Sequence, residues 1–307
     1  MNLGSAISEP FVKILDFHND FNRNIKAAVG ALEFWKTSSS ASATTATLPT
    51  GSEPWGPLTH WKNPLDVAGK AEAFVAEVGI VRAASAFEDF RTGLDAELNR
   101  ARPNPTSVEA DAVTERLLSR LGISPATIVD VTKIVEFFDV ARNCIVHRSG
   151  RASPSLAALA VSKDFQNALA KWPKRAGKWR VAIPSITDGA PIEWQPRHAI
   201  MASDAYFKLA KLMDPSLITA VGELGMVRMA AHWCFFDENP VPCPAKKNVQ
   251  TMVKRQLVNR YFAADVEEGS IIGHLKSIKK WDGCAKEYER RFPKGGLLRD
   301  QRKRAKR

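Results

Sequence analysis

Apolar residues recur at close to helical spacing through the opening of the chain: Phe11, Ile14, Leu15, Phe17, Phe21, Ile25, Val29, Leu32 and Trp35. A stripe that returns every three to four residues over about seven turns predicts one long amphipathic helix across residues 1–36, because only a 3.6-residue repeat keeps such positions on one face. The next stretch, TSSSASATTATLPTGSEP from Thr37 to Pro54, is almost entirely small and polar. It has too few apolar groups to pack, so residues 37–60 are expected to be a flexible linker.

The helical pattern resumes from Leu65 to Leu98, with Phe74, Val78, Val81 and Ser85 on one row and Phe87, Phe90, Leu94 and Leu98 on another. This predicts a long core helix that ends before ARPNP, since Pro103 and Pro105 cannot continue it. A short helix is expected in VEADAVTERLLSRLG, stopped by Gly122. Ser124-Pro125 then reads as an N-cap followed by proline at the first helical position, opening a helix that runs through IVDVTKIVEFFDVARNCIVHRSG and closes at Gly150. A further helix is expected from Leu156 to Trp172. KWRVAIPSITDGAPIEW alternates around Asp188-Gly189, which predicts a small β-hairpin. Helical patterns follow at Pro196 to Met213 and in GELGMVRMAAHWCFF, VQTMVKRQLVNRYFA and IIGHLKSIKKWDGCAKEYERRF. The expected fold is all-α, a helical bundle over 61–215 with one hairpin, then an additional C-terminal helical region over 216–298 and a tail at 299–307.

Composition narrows this picture. A 307-residue chain with 45% hydrophobic residues can bury a sizeable core in one to three domains. No run of about 18 apolar residues occurs, and MNLGSAISEPFVKILDFHND lacks the layout of a secretory signal, so a cytoplasmic protein with no membrane partner is expected. Four widely spaced cysteines (Cys144, Cys234, Cys243, Cys284) suit reduced thiols. With His232 and His274 three of them can be imagined as a zinc site, but tightly spaced ligand pairs are missing, and no metal or cofactor is expected. The net charge of +11 is concentrated. Residues 246–307 hold 18 basic and 7 acidic residues, while the first 245 balance at 26 of each. Such a segment attracts polyanions through phosphate contacts, with nucleic acid the leading partner and membrane headgroups or an acidic protein as rivals. Lys254, Arg255, Lys279 and Lys280 are the candidate RNA contacts in its helices. Tyr261, Trp281 and Tyr288 either stack on bases or pack in the core, and QRKRAKR is either a contact or a solvated tail.

One short motif carries chemistry: RNCIVH, Arg142 to His147, near the end of a predicted core helix. A five-residue step turns a helix by about 500°, which leaves Arg142 and His147 about 140° apart, while Asn143 and His147 share a face. A neutral imidazole can take the proton of a ribose 2′-OH, a guanidinium can hold the scissile phosphate, and an amide can orient either. RNA supplies its own nucleophile, so this chemistry needs no metal. Alternatively His147 merely caps its helix, Glu88 and Asp89 form a solvated pair, and Arg148 and Arg151 stabilise the helix terminus rather than contact RNA. Cys144 and His147 can also be read as a thiol–imidazole dyad, against the ordinary reading of Cys144 as a small buried hydrophobe.

Arginine, a polar residue, three further positions and histidine near the end of a core helix resemble the R-x(4–6)-H motif of the HEPN (higher eukaryotes and prokaryotes nucleotide-binding) superfamily. The helix RAASAFEDFRTGLDAEL, residues 82–98, is similar to the earlier helix of its prokaryotic ribonuclease branch, where an acidic residue follows an aromatic, and Glu88 is the matching position. GAPIEWQPRHAIMASDAYFKLAKLMD also resembles that branch, so the likeness spans roughly residues 70–215. It implies a four-to-five-helix core, a homodimer with a composite cleft, metal-independent endoribonuclease activity on RNA, and a role in toxin–antitoxin or anti-phage defence with an antitoxin or second defence component as partner. Arg142, Asn143 and His147 would be its catalytic residues and Glu88 their support. Two other readings stand beside it: a catalytically silent module of the same fold that binds RNA or a partner, and a basic helical nucleic-acid-binding adaptor.

Overall fold

The computed structural model describes residues 1–38, 45–47, 60–102, 113–173, 181–237 and 248–291. The fold is all-α. Among the described residues ten α-helices follow one another: α1 (Glu9–Ser38), α2 (Pro64–Ala101), α3 (Val113–Arg120), α4 (Val129–His147), α5 (Pro154–Val161), α6 (Lys163–Lys171), α7 (Pro196–Phe235), α8 (Val249–Asn259), α9 (Glu268–Ser277) and α10 (Trp281–Arg291). Two three-residue strands, β1 (Thr45–Thr47) and β2 (His60–Lys62), pair antiparallel with Ala46 opposite Trp61. They fall at the stretch expected to be a linker, whose remaining residues from 39 to 44 and 48 to 59 lie outside the described residues. No helix is long and apolar enough to cross a membrane among the described residues.

The chain divides into two compact units. One comprises residues 14–88 and 128–209 and holds RNCIVH; the other comprises 1–13, 89–127 and 210–307 and holds the basic helices. In the motif unit, α4 buries Val131, Ile134, Val135, Phe137, Phe138, Ala141 and Cys144, the face that a repeat of three and four residues creates. Phe137 stacks on Phe165 at 4.5 Å and meets Phe138 and Trp194 edge-on. Phe87 stacks on Tyr206 at 5.0 Å, and the Tyr206 hydroxyl donates to Asp139 Oδ1 at 2.7 Å. Gly79 on α2 permits a close approach: a Cβ there would stand 2.7 Å from Ala199 Cβ and 3.2 Å from Ile25 Cδ1.

Several boundaries differ from expectation for local reasons. α4 does not begin at Ser124-Pro125. The Ser124 carbonyl accepts from Thr127 N and Oγ1 in a 3-10 turn, and buried Ile128 precedes α4 with no side-chain cap. Gly150 does close it, with φ +76 and its N–H on the Cys144 carbonyl at 3.2 Å. The single helix expected from Leu156 to Trp172 is two, because Ser162 is extended and its hydroxyl accepts from Phe165 N at 3.3 Å, capping α6. The last expected helix likewise splits into α9 and α10.

The β-hairpin expected around Asp188-Gly189 is not formed by the described residues 181–194. Thr187 to Ala190 do turn, but Ala190, Gly189 and Ile192 hydrogen-bond to the backbone of residues 150–152 instead of to a second strand. Pro184 and Pro191 have no N–H to extend a ladder. On α2, the row Phe87, Phe90, Leu94 and Leu98 is buried at 2% exposure or less, whereas Phe74 is 66% and Val78 40% exposed. The first predicted row thus faces solvent, and only the second belongs to the core.

Candidate functional site

The motif unit presents RNCIVH on the last turn and a half of α4. Ala141 and Cys144 turn inward at 0% and 1% exposure, and this anchors the helix so that the intervening positions turn outward. Asn143 and His147 are exposed and Arg142 half-buried. Arg142 Nη1 donates to Asn143 Oδ1 at 2.9 Å, and Nη2 stands 3.8 Å from Glu88 Oε2. The guanidinium is therefore held on one side by an amide and on the other by a carboxylate, with its remaining N–H groups unused among the described residues. An exposed pair of this kind contributes little to stability, on the order of 0–1 kcal/mol. Its effect is to aim Arg142.

His147 is the last residue of α4, and among the described residues neither ring nitrogen has a hydrogen-bond or ion-pair partner. Asn143 lies one turn earlier on the same face of the helix. Arg148 follows as the exposed C-cap residue, and Arg151 Nη1 donates to the Gly189 carbonyl at 3.1 Å. Arg142, Asn143, Glu88, His147, Arg148 and Arg151 thus all belong to one unit. The thiol–imidazole dyad is not formed: Cys144 is buried and its thiol donates to Ser153 Oγ at 3.4 Å.

Lys254, Arg255, Lys279 and Lys280 belong to the other unit. Lys254 and Arg255 are on α8, and Lys279 and Lys280 on the turn between α9 and α10. Lys280 Nζ sits 5.5 Å from the Phe236 ring centre. Tyr261 is a core residue at 0% exposure, and its hydroxyl donates to buried Glu97 Oε2 at 3.0 Å. Among the described residues no group of three or more His, Cys, Asp and Glu is placed to hold a metal ion. His232 faces Asp237 and His274 faces Glu223, while burial pushes the Cys284 thiol up to about 12; Cys243 lies outside the described residues.

Two features escaped the sequence reading. Glu77 lies eleven residues before Glu88, three turns back along the same face of α2, and its Oε1 stands 3.0 Å from where a Gly150 Cβ would be. Burial raises its carboxyl above the ordinary range. Spacing from Glu88 is its only sequence signal. His18, Ser203 and Asp204 also gather in this unit: His18 Nδ1 is 2.9 Å from Ser203 Oγ and Nε2 is 3.8 Å from Asp204 Oδ1. The order is that of a hydrolase triad, but Ser203 is 2% exposed and no substrate reaches it, so the contact serves to tie α1 to α7. A separation of 185 positions hid it.

Compared with known proteins, the chain matches no family model, no curated protein and no solved structure.

Proposed function

We propose that this chain is a metal-independent endoribonuclease of the HEPN type, in which His147 moves the proton of the ribose 2′-OH and Arg142 holds the scissile phosphate. The observation that carries the reading is the pairing of a guanidinium aimed by Asn143 and Glu88 with an exposed imidazole that has no partner among the described residues, on one helix end. Deprotonated 2′-oxygen attacks phosphorus, the 5′-oxygen leaves with a proton, and the negative charge that develops on the phosphoryl oxygens meets Arg142. Asn143 serves the same phosphate or the same imidazole. Arg148 and Arg151 lie just beyond the motif and extend the positive surface toward neighbouring phosphates.

Because one Arg/His pair makes a more complete phosphate site when a second copy is apposed, the proposal includes a homodimer, and a toxin or anti-phage role restrained by an antitoxin or second defence component. The test is cleavage of total RNA and tRNA by purified protein in EDTA. Arg142→Ala and His147→Ala should each lower the rate by orders of magnitude, roughly 10²–10⁴-fold for the general acid–base residue, with unchanged melting curves. Cleavage lost in EDTA and restored by a divalent ion, or full activity in His147→Ala, would refute the assignment. Neither side chain belongs to the core, and the contacts that Arg142 makes with Asn143 and Glu88 contribute little to stability, so a loss of rate reports on chemistry.

A further inference from the structure

Five non-glycine residues have positive φ among the described residues: Asn63, Ser149, Phe262, Asp265 and Lys279. Three of these are short polar residues, the kind that bonds locally in that conformation. Phe262 (φ +54) and Lys279 (φ +54) are not. For a bulky side chain the left-handed region brings Cβ against the following carbonyl, a clash that glycine escapes. Lys279 occupies the position that ends a helix in a Schellman turn, where glycine is usual: Lys280 N bonds the Leu275 carbonyl at 2.8 Å and Lys279 N the Lys276 carbonyl at 3.0 Å.

Packing does not account for either residue. Phe262 is 49% exposed, and Lys279 is exposed. Phe262 lies just past the end of α8, which packs against α9 and α10, and Lys279 lies just past the end of α9. Beside Phe262 lie two adjoining recesses that share Asn259, one of about 270 Å³ that Phe262 itself lines and one of about 410 Å³ walled by Thr251, Lys254 and Arg255. Their acids are engaged: Glu9 with Lys13 and Arg260, and Glu268 with the Thr251 hydroxyl. Lys254 and Arg255 have no acidic partner among the described residues.

We propose that this surface is a binding subsite for single-stranded RNA, with the Phe262 ring stacking on a base and Lys254 and Arg255 contacting phosphates. The inference rests on RNA being the substrate class, as in the function proposed above. An exposed aromatic amid unpaired cations is the combination that single strands require, since every base offers a π-face and every linkage a charge. An acidic protein segment would use the cations and leave the ring without a role. The recesses are of a size to seat a base or a nucleotide rather than an extended helix.

The test uses the full chain and a fluorescent 2′-O-methyl oligoadenylate, which cannot be cleaved because its 2′-oxygen is blocked, so binding is read apart from any ribonuclease activity. Phe262→Gly removes the ring and relieves the backbone. It should weaken binding by about five- to a hundredfold at constant salt slope, while the melting temperature stays level or rises. Arg255→Ala should flatten the slope of log affinity against log salt by about 0.7, again without loss of stability. Phe262→Leu keeps the apolar contact at the same backbone and should bind as poorly as Phe262→Gly, whereas Phe262→Trp should restore binding. Wild-type affinity in both Phe262→Gly and Phe262→Leu overturns the subsite. So does tighter binding of a labelled polyglutamate than of the oligonucleotide, with loss in Arg255→Ala but not Phe262→Gly, which would assign the surface to an acidic protein. Absence of RNA cleavage alongside these expected binding losses would sink the ribonuclease and leave the subsite standing.

Discussion

Asp214 and His198 are both 1% exposed and both titrate far from their usual ranges, in opposite directions. Burial pushes the Asp214 carboxyl from 3.8 up to about 6, against the Ser8 N–H that donates to both its oxygens at 3.2 and 3.3 Å. Its folded pKa is raised, so folding favours the protonated form: this contribution to stability is full below about pH 4 and is lost as pH rises through 6. Asp214→Asn keeps an acceptor for Ser8 and removes the charge. It should therefore raise the melting temperature at pH 7 to 8 by an amount that shrinks toward zero at pH 4, with a ceiling of about 3 kcal/mol. A shift of equal size at every pH, in thermal scans followed by circular dichroism, would contradict this. His198 is lowered to about 4, chiefly by burial, and its neutral ring is held by accepting from Gln195 N and donating to the Ala182 carbonyl. It loses stability as pH falls from 6.5 through 4, so the two groups oppose each other in that window. Neither residue stood out in the sequence, because both shifts come from what covers the side chain. Arg142, Asn143 and His147 did stand out, since three polar types interrupt an otherwise apolar helix end.

Among elements, the long periodic runs were the legible part. α1, α2 and α4 lie where repeats of three and four residues predicted them, because such a repeat buries a continuous face only as a helix. What periodicity did not show was which of two rows is covered, so Phe74 and Val78 read as core although of the two rows it is Phe87, Phe90, Leu94 and Leu98 that are enclosed. Breaks were also hidden where a single side chain decides them. Ser162 closes α5 by donating its backbone N–H to the Leu159 carbonyl and caps α6 with its hydroxyl. Ser162→Ala should cost about 1 kcal/mol in denaturant unfolding, with the slope of the transition unchanged. A loss below a few tenths of a kcal/mol would mean that the cap does not separate these helices. The failed hairpin follows the same logic in reverse: alternation and Asp-Gly made a turn, but prolines at 184 and 191 denied it a ladder, and residues 150–152 took up its backbone groups.

At the scale of the molecule, the proposed composite cleft requires two copies. Light scattering at micromolar concentration should give about twice the 33.9 kDa chain mass. A strictly monomeric and active enzyme would exclude that arrangement. The helical class, the position of RNCIVH near a helix end and the confinement of the +11 excess to residues 246–307 were legible in the sequence, for these depend on local spacing and on counting charges. Tertiary structure alone decided that Glu88, 54 positions before Arg142, stands beside it, that the Cys144 thiol turns to Ser153 and away from the motif, and that Tyr261 meets Glu97 inside the core. It also decided that residues 14–38 share a unit with the motif although more than a hundred positions separate them along the chain, and that Phe262 and Lys279 take a strained backbone at helix ends. The physical reason is common to all of these. Pairing between distant residues, burial and dihedral angles at a turn follow from how packed helices meet, and no periodicity within one segment carries that information.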